Sequence, residues 1–279
     1  MDVQGSQVLG KAEALALRYG ADAVPAAGPW TDAISLLLSH RSVRGYSADP
    51  LPPGTLQTLI AAAQSAATSS NMQTWSVIAI TDPARKAVLA KWSNNQKHIE
   101  QCPLFLVWLA DISRARRLGE AEGVTLEVLP FLETYMVAAI DAALAAQNAV
   151  VAAESLGLST VYIGALRNNA DLVAAELKLP PGVMGVFGLC VGYAAPTAAN
   201  EVKPRLAQEA ILYHEQYTIP DETALRAAYD AKLNEFSRRN EMTSDSWTAR
   251  VIGRMGKVAG LGGRHRLRSM LNALGFPLE

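Results

Sequence analysis

Two cysteines and four histidines in 279 residues leave little material for a metal centre or a disulfide framework. His40, His98, His214 and His265 are scattered, without the close pairing that metal ligation needs. Cys102 and Cys190 lie far apart in apolar runs, CPLFLVWLA and GVFGLCVGY, so the expectation is isolated buried thiols in a reducing compartment. Net charge is scarce as well. The 25 Lys and Arg against 26 Asp and Glu give −1, which argues against nucleic acid as a partner, because such binding needs a basic surface to displace counterions. Nowhere is there a G-x-S-x-G elbow or a G-x-x-x-x-G-K-S/T phosphate loop. The tail stretch GLGGRH (260–265) departs from G-x-G-x-x-G, so a Rossmann site is not expected. The first residues, MDVQGSQVLGKAEALALRYG, lack the basic start and unbroken apolar core of a signal peptide. Apolar runs reach about a dozen residues, short of the ~20 that span a bilayer, so the expectation is a soluble cytoplasmic protein with no membrane partner.

What is present is apolar and helical. Half the residues are hydrophobic, enough for one large domain or two smaller ones with a real core. Helical spacing marks 11–20, 31–40, 52–67, 83–92, 131–157, 168–179 and 221–240. The segments 75–82, 103–111, 159–164 and 183–193 are β-branched or continuously apolar and read as strands, while 194–212 reads mostly as loop. The 131–157 run carries small apolar residues on nearly every face, which marks a central helix packed by other elements or by a second subunit. Few strands separated by helices suggest an α+β or α/β sandwich, with a central sheet clothed by helices.

Embedded in this apolar sequence are five polar islands: HRSVR (40–44), TSSNMQ (68–73), NNQKH (94–98), YIGALRNN (162–169) and KPR (203–205). Singly, each is an ordinary helix end, turn or solvated loop. Together they form an inventory. Arg41, Arg44, Lys203 and Arg205 can neutralise a phosphate dianion, since the guanidinium fork matches phosphate oxygens and stays charged. Ser42, Thr68, Ser69, Ser70, Asn71 and Gln96 can hydrogen-bond a polyol or a polar heterocycle. Gly164, at a strand end, lets backbone N–H groups approach a flat ring closely. Phosphate, polyol and planar ring describe flavin mononucleotide (FMN).

The order and spacing of HRSVR, SSNMQTWS, QKH, AAQNAVVAAESLGLSTVYIGALRNN, FGLCVGY and KPRL resemble the nitroreductase superfamily, in particular its group A oxygen-insensitive NAD(P)H nitroreductases and flavin reductases. The likeness runs from about residue 31 to about residue 250. It implies an α+β three-layer sandwich, a mixed central sheet flanked by helices, formed as an intertwined homodimer that binds FMN at the subunit interface. Carried onto this sequence, it implies that His40, Arg41, Ser42 and Arg44 hold the ribityl phosphate with Lys203 and Arg205. Gln96 would face the isoalloxazine, Tyr162, Ile163, Gly164 and Ala165 would line its edge, and Thr68, Ser69, Ser70 and Met72 would come from the second subunit. No catalytic side chain is implied, because the flavin carries the chemistry.

The implied function is an FMN-dependent flavoprotein oxidoreductase that passes hydride from NADPH or NADH to a small aromatic acceptor, a nitroaromatic compound or a quinone, in a ping-pong cycle. The alternatives are a flavin reductase supplying reduced FMN to a partner monooxygenase, and a flavin-binding module without turnover. Two departures from the family pattern matter. YIGA (162–165) replaces YIGG, and SRRNEMTSDSW (237–247) puts Glu241 and Asp245 where further arginines would grip the NADPH 2′-phosphate. Arg238 and Arg239 are the remaining donor-binding candidates, which leaves NADPH, NADH or both open as the hydride donor. Residues 1–30 read as an N-terminal extension with one amphipathic helix, and 31–279 as a single FMN-binding domain with a C-terminal helical extension.

Overall fold

A computed structural model describes residues 9–198, 201–242 and 246–279. Its elements run α1 (Lys11–Tyr19), α2 (Asp32–Ser39), α3 (Thr55–Gln64), β1 (Trp75–Ile80), α4 (Pro83–Trp92), α5 (Lys97–Gln101), β2 (Leu104–Asp111), α6 (Ser113–Glu122), α7 (Leu132–Ser155), β3 (Ser159–Ile163), α8 (Ala170–Glu176), β4 (Val183–Gly192), α9 (Glu222–Arg239), α10 (Trp247–Met255) and α11 (Leu267–Ala273), with a 3₁₀ helix at Gly164–Asn169 before α8. The chain divides into two compact units. The first joins residues 1–41 to 199–261, and the second joins 42–198 to 262–279. The expected N-terminal extension therefore belongs to a unit that also contains α9 and α10.

The second unit holds the sheet, in the order β1-β2-β4-β3 with every named pair antiparallel. Among the described residues the parallel pairing is one bridge, Ser42 to Thr160, on the β3 edge. β2 is buried along its whole length, as a central strand covered on both faces must be. Its side chains alternate strictly: Phe105, Val107 and Leu109 join one core cluster with residues of α4, α5 and α8. Leu104, Leu106 and Trp108 join another with α3 and α7. Period-two alternation is thus what makes the layers helix, sheet and helix. At Gly188 a Cβ would fall 2.3 Å from the Phe105 ring, so only glycine lets β4 close on β2 there.

α7 meets the sheet through Ala138, Ala142, Ala145, Ala146, Ala149 and Ala153, whose small side chains allow close approach. Its opposite face is apolar and exposed: Leu132, Met136, Ile140 and Leu144, four residues apart, are 42–53% accessible. By length and composition α7 would pass as a bilayer-spanning helix, against the expectation of shorter apolar runs. The alanine face on the sheet gives it a role in the core instead.

Local chemistry explains several boundaries. Asp82 caps α4 by accepting the Arg85 N–H at 2.7 Å, ahead of Pro83 in the first turn. Asp221 caps α9 through the Thr223 N–H at 3.0 Å. α6 lies where no element was expected, because SRARRLGEAE offers Leu118 but no apolar stripe. The two thiols, expected to be isolated, share the first core cluster, where the Cys102 thiol donates to the Ile99 carbonyl at 3.3 Å. Burial, with the neighbouring Cys102 thiol adding to the effect, pushes the Cys190 thiol up.

Candidate active site

The HRSVR stretch is divided between the units, with His40 and Arg41 in the first and Ser42 and Arg44 in the second. In the first unit the organising side chain is Arg18, on the buried face of α1 with Ala14 and Leu15 and only 6% exposed. Its guanidinium donates to the Lys203 carbonyl at 2.9 Å and to the His40 carbonyl at 2.5 Å. Its own carbonyl accepts the Arg205 N–H at 2.8 Å. Tyr229 of α9 donates its hydroxyl to the Pro204 carbonyl at 3.0 Å. The KPR backbone is therefore held at each of its three residues. The Lys203 ammonium lies 5.7 Å over the Phe236 ring, and the Arg205 guanidinium stays exposed beside its own loop.

Alongside, Arg41, Glu201, Pro204, Lys232, Phe236 and Arg239 help line a cavity of about 550 Å³ closed on one side by α1. Arg239 is committed to two carboxylates, Glu235 at 2.6 Å and Glu201 at 3.2 Å. Arg238 and Glu241 are exposed, and Asp245 lies outside the described residues.

In the second unit, the bridge between Ser42 and Thr160 and the bond from the Val43 N–H to the Thr160 carbonyl at 3.0 Å lay residues 42–44 along β3. Val43 turns into the core while Arg44 stays exposed. β3 ends at Ile163, and Gly164 and Ala165 open the 3₁₀ helix whose first N–H groups lack intrahelical partners. Tyr162 stands edge-on to Phe187, centroids 5.1 Å apart, and donates to Gln147 at 3.4 Å. Gln96 sits at the N-terminus of α5, its carbonyl accepting the Ile99 N–H at 3.0 Å. On the same short helix His98 is pushed down to about 4 by burial, with the Arg44 charge adding to the effect. Its Nε2 is buried without a hydrogen-bond partner among the described residues.

The TSSNMQ loop belongs elsewhere. It leads into β1, whereas Tyr162–Ala165 leave β3 at the other edge of the sheet. Three strand spacings, about 14 Å, separate those edges. Ser69, Ser70 and Met72 are exposed and Thr68 is half-buried. The loop is tethered by Asp141, a carboxylate buried in the alanine face of α7. It accepts the Ser69 N–H at 3.0 Å and the Thr74 hydroxyl at 3.4 Å. Ser70, Asn71 and Gln73 adopt positive φ, so this tether holds a strained turn.

The donor chemistry suits FMN: exposed guanidinium groups for a phosphate, backbone N–H groups at a strand end for a ring edge, and hydroxyls on a loop that leads into the strand at the opposite edge of the sheet. Comparison with known proteins agrees. Residues 37–193 match the pattern of the nitroreductase family, and residues 203–279 match that family's C-terminal domain. The chain belongs to the nitroreductase family. Oxygen-insensitive NADPH nitroreductase of Salmonella typhimurium is 38% identical over 221 residues, which is 78% of this chain and 88% of that protein. FMN reductase, NAD(P)H, of Bacillus subtilis is 36% identical over 252 residues, 89% of this chain and 99% of that protein. The solved structure of B. megaterium NfrA2 superposes with a TM-score of 0.83 at 36% identity, over 90% of this chain and all of that one.

Set against this nitroreductase-family fold, the sequence reasoning overlooked Arg18, Asp141, Tyr229 and the two carboxylates on Arg239. Two of them carried a signal. Arg18 follows Ala14 by one helical turn, a charge on the apolar face of KAEALALRYG, and Asp141 is a carboxylate in the middle of the longest apolar run. Tyr229, Glu201 and Glu235 look like ordinary helix and loop residues until the fold brings them to the KPR loop and Arg239.

Proposed function

We propose that this chain is a cytoplasmic, homodimeric, FMN-dependent NAD(P)H oxidoreductase that reduces nitroaromatic compounds and other flat electron-poor acceptors. The observation that carries the reading is the Ser42–Thr160 bridge. It lays a segment bearing Ser42 and Arg44 beside the strand that leads to Tyr162, Ile163, Gly164 and Ala165, which supports reading the first as phosphate donors and the second as the ring edge of one site. Lys203 and Arg205 add positive charge able to stabilise an anionic flavin. The redox chemistry itself is supplied by the bound flavin, which takes hydride from the nicotinamide donor and yields it to the acceptor.

The second subunit enters through two observations. The TSSNMQ loop stands at the sheet edge far from Tyr162–Ala165, which supports a role for Thr68, Ser69, Ser70 and Met72 at the other subunit's flavin. The exposed Leu132–Met136–Ile140–Leu144 stripe of α7 supplies an apolar face for that second copy.

For the donor, the carboxylates of Glu235 and Glu201 occupy the Arg239 guanidinium that would grip a 2′-phosphate, so NADH and NADPH are both used. A relative named FMN reductase, NAD(P)H, at 36% identity favours a second reading, in which free flavin is the acceptor and reduced flavin leaves for a partner monooxygenase. One anaerobic titration separates these. Bleaching of the flavin band by NADH and by NADPH, followed by reoxidation with a nitroaromatic and flavin still bound, supports the nitroreductase. Bleaching with rapid exchange of the flavin supports the reductase. A protein that takes up no FMN refutes both.

A further inference from the structure

We infer that Arg18, in a helix that precedes the residues matched by the family pattern, is a positioning residue for the phosphate-binding cations. This rests on the reading of HRSVR and KPR as an FMN phosphate clamp. An arginine in the last turn of a helix ordinarily caps that helix's own carbonyls or reaches solvent. Arg18 does neither. Its side chain is 6% exposed, and its two terminal nitrogens donate to carbonyls 22 and 185 positions away in sequence, those of His40 and Lys203. Because the guanidinium is planar and rigid, its fork sets the separation of those two carbonyls. Those are the backbone positions next to Arg41 and two before Arg205.

The third contact makes the arrangement specific. The Arg18 carbonyl accepts the Arg205 N–H, so one residue holds both ends of the Lys203–Arg205 loop, while Tyr229 holds its middle. The Lys203 and Pro204 carbonyls and the Arg205 N–H are thus all engaged by α1 or α9. The side chains of Lys203 and Arg205 are then presented on a loop that needs little ordering when an anion arrives. Such preorganisation raises affinity by lowering the entropy lost on binding. α1 thus supplies a function, and its wall on the neighbouring cavity follows from the same docking.

The test compares FMN with riboflavin, which has the same ring and ribityl chain but no phosphate. Binding to the full-length apoprotein is followed by flavin fluorescence for wild type, Arg18→Met and Arg18→Lys. Arg18→Lys keeps the charge but offers a single point donor in place of the fork. Expected is a rise in FMN Kd of about tenfold or more in both variants, the scale of one lost charge-assisted contact, with riboflavin binding unchanged. Equal weakening for FMN and riboflavin would reduce Arg18 to a structural residue. Full rescue by Arg18→Lys would assign the effect to charge and overturn positioning. Tyr229→Phe, a milder loss at the middle of the loop, should weaken FMN in the same sense and stands in if Arg18→Met does not fold. A wild-type protein that binds FMN no better than riboflavin would instead sink the clamp reading on which the inference rests.

Discussion

Asp141→Ala tests how the TSSNMQ loop is held. The substitution deletes the acceptor for the Ser69 N–H at 3.0 Å and for the Thr74 hydroxyl at 3.4 Å. A hydrogen bond to a charged group contributes about 1.5–3 kcal/mol, and the longer contact adds roughly 0.5 kcal/mol. Part of this is offset, because a carboxylate 1% exposed pays a desolvation cost that alanine does not, and water can reach the amide of the exposed Ser69. The net loss is about 1–2 kcal/mol, which for a chain of this size lowers Tm by roughly 2–8 °C. Asp141→Asn keeps an acceptor for the Ser69 N–H and can donate to the Thr74 hydroxyl, so it should lose about half as much. Differential scanning fluorimetry with and without FMN reads both effects. On the proposal that the loop serves the other subunit's flavin, FMN stabilisation should shrink along with Tm. A Tm for Asp141→Ala within about 1 °C of wild type, or an asparagine variant as damaged as the alanine one, would refute the tether.

Other expectations follow from single contacts. The double variant Glu201→Gln and Glu235→Gln frees the Arg239 guanidinium and should raise kcat/KM for NADPH relative to NADH by about tenfold, the value of a newly available charge-assisted phosphate contact; an unmoved ratio would take Arg239 out of donor recognition. Met136→Asp with Ile140→Asp puts charge into the exposed α7 stripe and should give a monomer in light scattering that no longer retains flavin; an unchanged dimer would place the interface elsewhere. His98, pushed down to about 4 from an ordinary value of 6.5, binds fewer protons folded than unfolded between those limits, so its contribution makes stability rise with pH across that window and level off above it. His98→Gln should flatten that part of the denaturation profile, and an unaltered slope would show that His98 titrates normally.

Much of this architecture was legible from the chain. α4 occupies the residues read as a helix from 83 to 92, and β1, β2, β3 and β4 all fall inside the segments read as strands, because continuous apolar or β-branched runs bounded by Pro, Gly and Asp have few alternatives. The run read as one helix over 168–179 is split into a 3₁₀ turn and α8, and α6 went unseen, since a helix held by polar residues leaves no stripe to find. Of the candidate site, the residue types and their order could be named, because arginine, glycine and hydroxyl side chains carry their chemistry with them. Their grouping could not.

Sequence by itself thus determined the four strands, the longer apolar helices and the family, all of which depend on local periodicity or on the identity of residues a few positions apart. Tertiary structure decided which islands meet. It brought the carbonyls of His40 and Lys203 onto the one guanidinium of Arg18, and laid Ser42 against Thr160. It also sent the TSSNMQ loop to the far edge of the sheet and tied up Arg239 with Glu201 and Glu235. The physical reason is that such contacts join groups up to 185 residues apart, and their geometry is set by how whole elements pack within each unit and not by the residues that touch.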